Sequence, residues 1–81
     1  MSNQTIESRI IAVIAEELSV HERDVSPSSQ LMEDLGADSL DIVALERSIE
    51  DEFDICCDDN EFAAVVTVQD VVDVVNRATE S

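Results

Sequence analysis

The chain has no lysine, tryptophan or tyrosine, and its only cations at neutral pH are Arg9, Arg23, Arg47 and Arg77, scattered along its length. Neutralising nucleic-acid phosphates takes clustered Lys and Arg, so DNA and RNA are excluded as partners, and an anionic membrane surface is disfavoured for the same reason. No apolar run approaches the roughly 20 residues of a membrane span. The opening "MSNQTIESRI" lacks a basic region followed by an apolar stretch, so no targeting signal is read there and a cytoplasmic location is expected. The two cysteines, Cys56 and Cys57, are adjacent, a geometry that disfavours an ordinary disulfide between them. They are expected to be free thiols in a reducing compartment, small apolar fillers.

What is abundant is acid. Twenty Asp and Glu against four basic residues give a formal net charge of −16. Such a surface opposes compaction through self-repulsion, and it steers association with basic protein partners or simply keeps the chain soluble. The length of 81 residues leaves room for one core, so a single domain over residues 1–81, monomeric and of modest stability, is expected.

The apolar pattern is helical. Ile6, Ile10, Val13, Ile14 and Leu18 recur at three- and four-residue steps, one stripe of an amphipathic helix. The period is lost from Ser19 to Leu35, where "VHERDVSPSSQLMEDLG" holds the sole proline and leads to the sole glycine; this reads as a long ordered loop pinned by Val20, Val25 and Leu31. Period returns after Asp38, with Ile42, Leu45, Ile49 and Phe53 on one face and Leu40, Val43, Ala44, Arg47, Glu50 and Asp51 on the other. "DDNEFAAVV" allows one short helix behind an acidic cap. In "TVQDVVDVVNRA", Thr67 and Asp70 stand at capping-box spacing ahead of the stripe Val68, Val71, Val72 and Val75. Valine favours strands by propensity, but spacings of three and four outweigh propensity. The expected fold is all-α, a small four-helix bundle of three main helices and one short one with a long first loop, mobile at "VSPSS" and in the short helix.

"EDLGADSLDIV" poses the functional question. Asp38 suits an N-cap, Asp41 follows at three residues, and Gly36 lets the chain turn, so Ser39 falls in the first helical turn. The backbone amides there lack helical partners and form the positive end of the helix, a place suited to an anion carried on the serine, such as a phosphodiester. On local grounds alone, plain capping is the commoner role for Asp38 and Ser39. A nucleophilic serine needs a neighbouring base and an oxyanion hole, yet the one histidine, His21, lies in the long loop and no nucleophile-elbow pattern surrounds Ser39. The chain is therefore not expected to be an enzyme; if Ser39 reacts, another protein supplies the chemistry. No metal site is expected either. "DICCDDNEFAAV" lacks the spacing and glycine of a calcium loop, and two adjacent thiols with a distant imidazole match no zinc pattern.

Taken with "TIESRIIAVIAEEL" before it and "TVQDVVDVV" after it, "EDLGADSLDIVALERSIEDEFDI" resembles the acyl carrier proteins of bacterial type II fatty acid synthesis, over essentially the whole chain. The resemblance implies that Ser39 is the attachment point of a 4′-phosphopantetheine arm, flanked by Asp38 and Leu40 and transferred from coenzyme A by a phosphopantetheinyl transferase. It implies that acyl groups ride on the arm as thioesters between fatty acid synthase and other acyl-transferring enzymes. Asp38, Leu40, Asp41, Val43, Arg47, Glu50 and Asp51 would meet basic docking patches on those enzymes. An apolar cleft able to take the acyl chain would be lined by Ile49, Phe53, Cys57, Phe62, Val65 and Val71, each of which is also an ordinary core position.

The sequence departs from that family's pattern at Glu46 and Arg47, which replace usually apolar residues, at Ala44, which stands where an acid is common, at "CCDD", and at Phe62, which replaces a small residue. These changes bear on cargo and partners, and leave open a specialised carrier of polyketide, aminoacyl or D-alanyl groups. An unmodified acidic interaction bundle is the remaining alternative. Self-repulsion predicts that added salt or divalent cations raise the melting temperature; a thermal scan indifferent to ionic strength would contradict it.

Overall fold

A computed structural model of the chain describes residues 5–80; the first four residues of the stretch read for a targeting signal lie outside it. The helices are α1 (Ile6–Leu18), α2 (Ser39–Phe53), α3 (Asp59–Ala63) and α4 (Val68–Glu80), with a single 3-10 turn at Glu22–Asp24 inside the long loop. The all-α expectation is met: three longer helices and one short one.

Local chemistry fixes each start. The Thr5 hydroxyl accepts the Ser8 amide at 3.0 Å to open α1. At α4 the expected box forms, with the Thr67 hydroxyl taking the Asp70 amide at 3.2 Å and the Asp70 carboxylate taking the Thr67 amide at 3.1 Å. That carboxylate also accepts the Val66 amide, and these backbone bonds hold its pKa below the usual carboxylate range. Two helix ends are less conventional. Ser19 and Asp54 close α1 and α2 in the left-handed region without glycine, at φ 57° and 55°.

The helix α1 is the hub, packed against both α2 and α4, while α2 and α4 make no close backbone approach to each other. The short α3 touches both and bridges that gap. Ile10 and Ile14 of α1, Leu45 and Ile49 of α2, Phe62 of α3 and Val68, Val71 and Val75 of α4 are fully buried in one apolar cluster. Beside that cluster, Arg9 ties α1 to the end of α2 over Phe53, which packs against the core. Its guanidinium pairs with the Glu52 carboxylate at 2.9 Å, bonds the Glu52 carbonyl at 3.0 Å, and lies 4.4 Å from the Phe53 ring centroid.

The long loop is held more firmly than its composition suggested. Val25 and Leu31 are buried as expected, and Val20 packs half-buried against the core. In addition, its carbonyls cap α4, with the Val68 amide donating to Ser29 and the Gln69 amide to Pro27, while the Leu31 amide donates to Val66 at 2.8 Å. Gln30 and Thr67 form one antiparallel bridge beside these bonds. The loop is thereby strapped to the α3–α4 junction, which sets Met32 beside α2.

Phe62 is the single fully buried side chain of α3, so it alone anchors that helix. Phe62→Ala is expected to cost about 3–5 kcal/mol, a large share of the stability of so small a fold, and a urea midpoint within error of the parent would refute this.

Candidate functional site

Asp38 is the N-cap of α2, in extended conformation. Its Oδ1 accepts the Asp41 amide at 2.8 Å, and Asp41 Oδ2 accepts the Asp38 amide at 3.1 Å, a reciprocal capping box. Gly36, at φ +77°, turns the chain so that Ala37 enters the core and Asp38 reaches the cap. A side chain there would have space, so the demand for glycine is conformational. Ser39 is the first residue of α2, exposed, with no hydrogen bond from its hydroxyl among the described residues. The amides of Ser39 and Leu40 take no acceptor outside the helix either. The two flanking carboxylates are turned onto amides, leaving the positive helix end beside the serine open.

Below Ser39 lies a cleft of about 610 Å³ between α2 and α3. Its α2 wall is Ser39, Ile42, Val43, Glu46, Arg47 and Glu50, the i, i+3, i+4, i+7, i+8 and i+11 positions of one helical stripe. The facing wall is Asp59, Asn60, Phe62, Ala63 and Val65, with Met32 from the loop. His21 lines a different depression, with Arg9, Glu16 and Glu52, and shares nothing with Ser39. Among the described residues no base addresses the serine, which fits a residue that receives a group and performs no chemistry of its own.

The residues expected to line an acyl pocket divide. Phe62 and Val65 line the cleft. Ile49 and Val71 are fully buried on the core side of their helices, Cys57 is buried beneath α2, and Phe53 lies under Arg9, so these four do not face it. The difference comes from taking the core stripe of α2 as the pocket wall, whereas the cleft opens one helical face away, along the stripe that starts at Ser39. The spacing of Ser39, Val43, Glu46 and Glu50 was the signal that could have found it.

The expected docking residues are close together on α2. Leu40 and Val43 are 77% and 61% exposed, and Val43 and Met32 put apolar surface on the cleft. Asp38, Arg47 and Asp51 are exposed and Asp41 half-buried. Arg47 makes no ion pair among the described residues. Glu50 is partly committed inward, accepting the Cys57 amide at 2.9 Å. Cys57 itself is pushed up to about 11 by burial and by the nearby Glu50 and Glu46, so it stays a neutral thiol. Among the described residues, no group of Asp, Glu, His and Cys is arranged to hold a metal.

Residues 8–75 match the family described as the phosphopantetheine attachment site. This chain belongs to that family. The group the family carries fits what is seen here: an exposed serine without a base, at a helix end with free amides, above a cleft. Ser39, in "GADSL", has these properties. A solved structure from Mycobacterium tuberculosis, provisionally assigned as an acyl carrier protein, is similar at a TM-score of 0.83 and 34% identity, over 90% of this chain and 97% of that one. The fold is thus that of acyl carriers, and the chain is a carrier and not an enzyme. No helix among the described residues is long and apolar enough to cross a membrane.

One cleft residue stands out. Glu46 has a fully buried oxygen, Oε2, with no hydrogen-bond partner among the described residues. Burial, the facing Asp59 carboxyl, Glu50 and Asp58 together raise its pKa from 4.5 to about 7. A carboxyl raised on folding binds more protons folded than unfolded, so its contribution is complete below about pH 4.5 and is lost as pH rises through about 7. Across that window the parent should lose stability relative to Glu46→Gln, on the order of 1 kcal/mol once solvent screening is allowed for. Parallel stability-versus-pH curves for the two proteins would contradict it.

Proposed function

We propose that this chain, as a single domain, carries acyl groups as thioesters on a 4′-phosphopantetheine arm at Ser39 and delivers them between synthase enzymes in the cytoplasm. The observation that carries this reading is the exposed, base-free Ser39 at the capped start of α2, directly above the α2–α3 cleft. When bound, the arm supplies the thiol that holds the acyl group. In the loading step, Ser39 Oγ forms a phosphodiester to the phosphorus nearer the pantetheine of coenzyme A. The pyrophosphate bond breaks, adenosine 3′,5′-bisphosphate leaves, and the serine proton passes to a base of the phosphopantetheinyl transferase. The capping box holds Ser39 outward for that partner, and the free amides of the first turn favour the new phosphate.

Partner enzymes with basic patches would meet Asp38, Asp41, Glu50 and Asp51, with Leu40 and Val43 as an apolar centre. Exposed charge pairs give fast encounter and fast release, which a shuttle requires. Arg47 breaks the acidic run and repels a cation placed opposite it, so it selects among partners. Service in fatty acid synthesis is supported by the sequence resemblance. The Glu46 carboxyl in the cleft favours the second reading, a carrier for a more specialised cargo.

Incubation with coenzyme A, magnesium and a broad-specificity phosphopantetheinyl transferase should add the mass of one phosphopantetheine to the parent and none to Ser39→Ala. Absence of any gain, under conditions that modify another acyl carrier, would refute the proposal.

A further inference from the structure

We infer that the cleft selects a short acyl cargo bearing an amine, whose ammonium group is received by Glu46; this rests on the carrier reading above. Three observations lead there.

The first is the wall itself. Ile42, Val43, Phe62 and Val65 offer an apolar passage, but Glu46 interrupts it two turns below Ser39, seven residues on and within about 20° of the same helical face. A plain aliphatic chain threading this passage would cover a carboxyl group and give it nothing.

The second is the state of that carboxyl. Oε2 is fully buried and bonds no group among the described residues, although buried carboxylate oxygens are ordinarily paired. Across the cleft the Asp59 carboxyl acts on it, itself an acceptor when ionised, so the two acids can satisfy one another only by sharing a proton. The donors that line the cleft, Arg47 and Asn60 among them, make no hydrogen bond to Oε2.

The third is charge. Glu50 on the same helix, Asp58 at the cap of α3 and Asp59 in its first turn all raise the proton affinity of Glu46, and Arg47 is the one cation among the residues lining the cleft. A hydroxyl on the cargo would supply a hydrogen bond and leave this surplus as it is. An ammonium supplies the bond and the countercharge, and takes the place of the shared proton, which leaves to solvent. The cleft, about 610 Å³ and with Ser39 among its lining residues, has the size of a small-molecule site.

The test loads Ser39 enzymatically from coenzyme A analogues whose cargo is joined by an amide in place of the thioester, which prevents its loss. γ-Aminobutyryl and valeryl groups are compared because they match in length and shape and differ in the terminal ammonium. Intact mass is read first: no adduct on Ser39 would overturn the carrier reading, and the cargo inference with it. With both adducts made, the γ-aminobutyryl form should melt roughly 4–8 °C above the valeryl form near pH 7. The Glu46 carboxyl carbon, followed by NMR, should titrate at least about one pH unit lower with the amine in place than with valeryl. Glu46→Val should abolish or reverse the melting difference, and Glu46→Gln should shrink it. Equal or greater stabilisation by valeryl in the parent, or a Glu46 titration that is the same for both cargoes, would overturn the inference while leaving the carrier reading in place.

Discussion

The packing of α1 against both α2 and α4 is the contact on which the remainder depends. A net charge of −16 pushes the helices apart, and the described residues provide two ion pairs, Arg9–Glu52 and the long Arg77–Glu61 contact at 3.8 Å, to oppose it. Both are solvent-exposed pairs of small individual worth. Cohesion therefore comes from burial, concentrated where Ile10 and Ile14 meet the isoleucine and leucine of α2 and the valine stripe of α4. Because α1 is the common partner, α2 and α4 stay apart, and the space between them is left to the five-residue α3. The cleft is a consequence: one fully buried phenylalanine holds a helix too short to seal the gap along α2.

The same arrangement explains why reception and storage of a group sit side by side. The capping box that starts α2 presents Ser39 to solvent, and the helix then carries its next turns down the cleft wall, so the attachment point and the passage share one stripe. The strapped loop completes the mouth, since its bonds to the start of α4 fix Leu31 and so Met32. Changes that loosen the loop should therefore be felt at the cleft before they are felt in the core.

Much of this was legible in the sequence because it rests on short-range chemistry. The helices followed from spacing, in α4 even against the strand preference of valine, since a stripe repeating at three and four residues buries one face of a helix and scatters over both faces of a strand. The caps at Asp38 and Thr67 followed from residue type and a three-residue offset. The strapping of the loop was not legible, because carbonyls of Pro27 and Ser29 carry no side-chain signature of their partners on α4. The ends of α1 and α2 were unmarked for a related reason, being closed by Ser19 and Asp54 in a conformation that glycine usually signals.

The cleft was legible only in part, and the reason is instructive. Hydrophobicity points to Ile49, Phe53 and Val71, which the core claims, because the strongest apolar positions of an amphipathic helix face the largest neighbour, here α1. The cleft receives the adjacent stripe, where apolar Ile42 and Val43 alternate with Glu46, Arg47 and Glu50. A mixed stripe reads as solvated surface until a second element is seen to cover it. Once α3 does so, Glu46 changes from a surface acid into a carboxyl whose oxygen has lost water and gained no partner. That cost is borne by the protein before any cargo arrives, and a cargo that relieves it gains binding from a group placed in advance, which is how a binding site discriminates between chains of equal length.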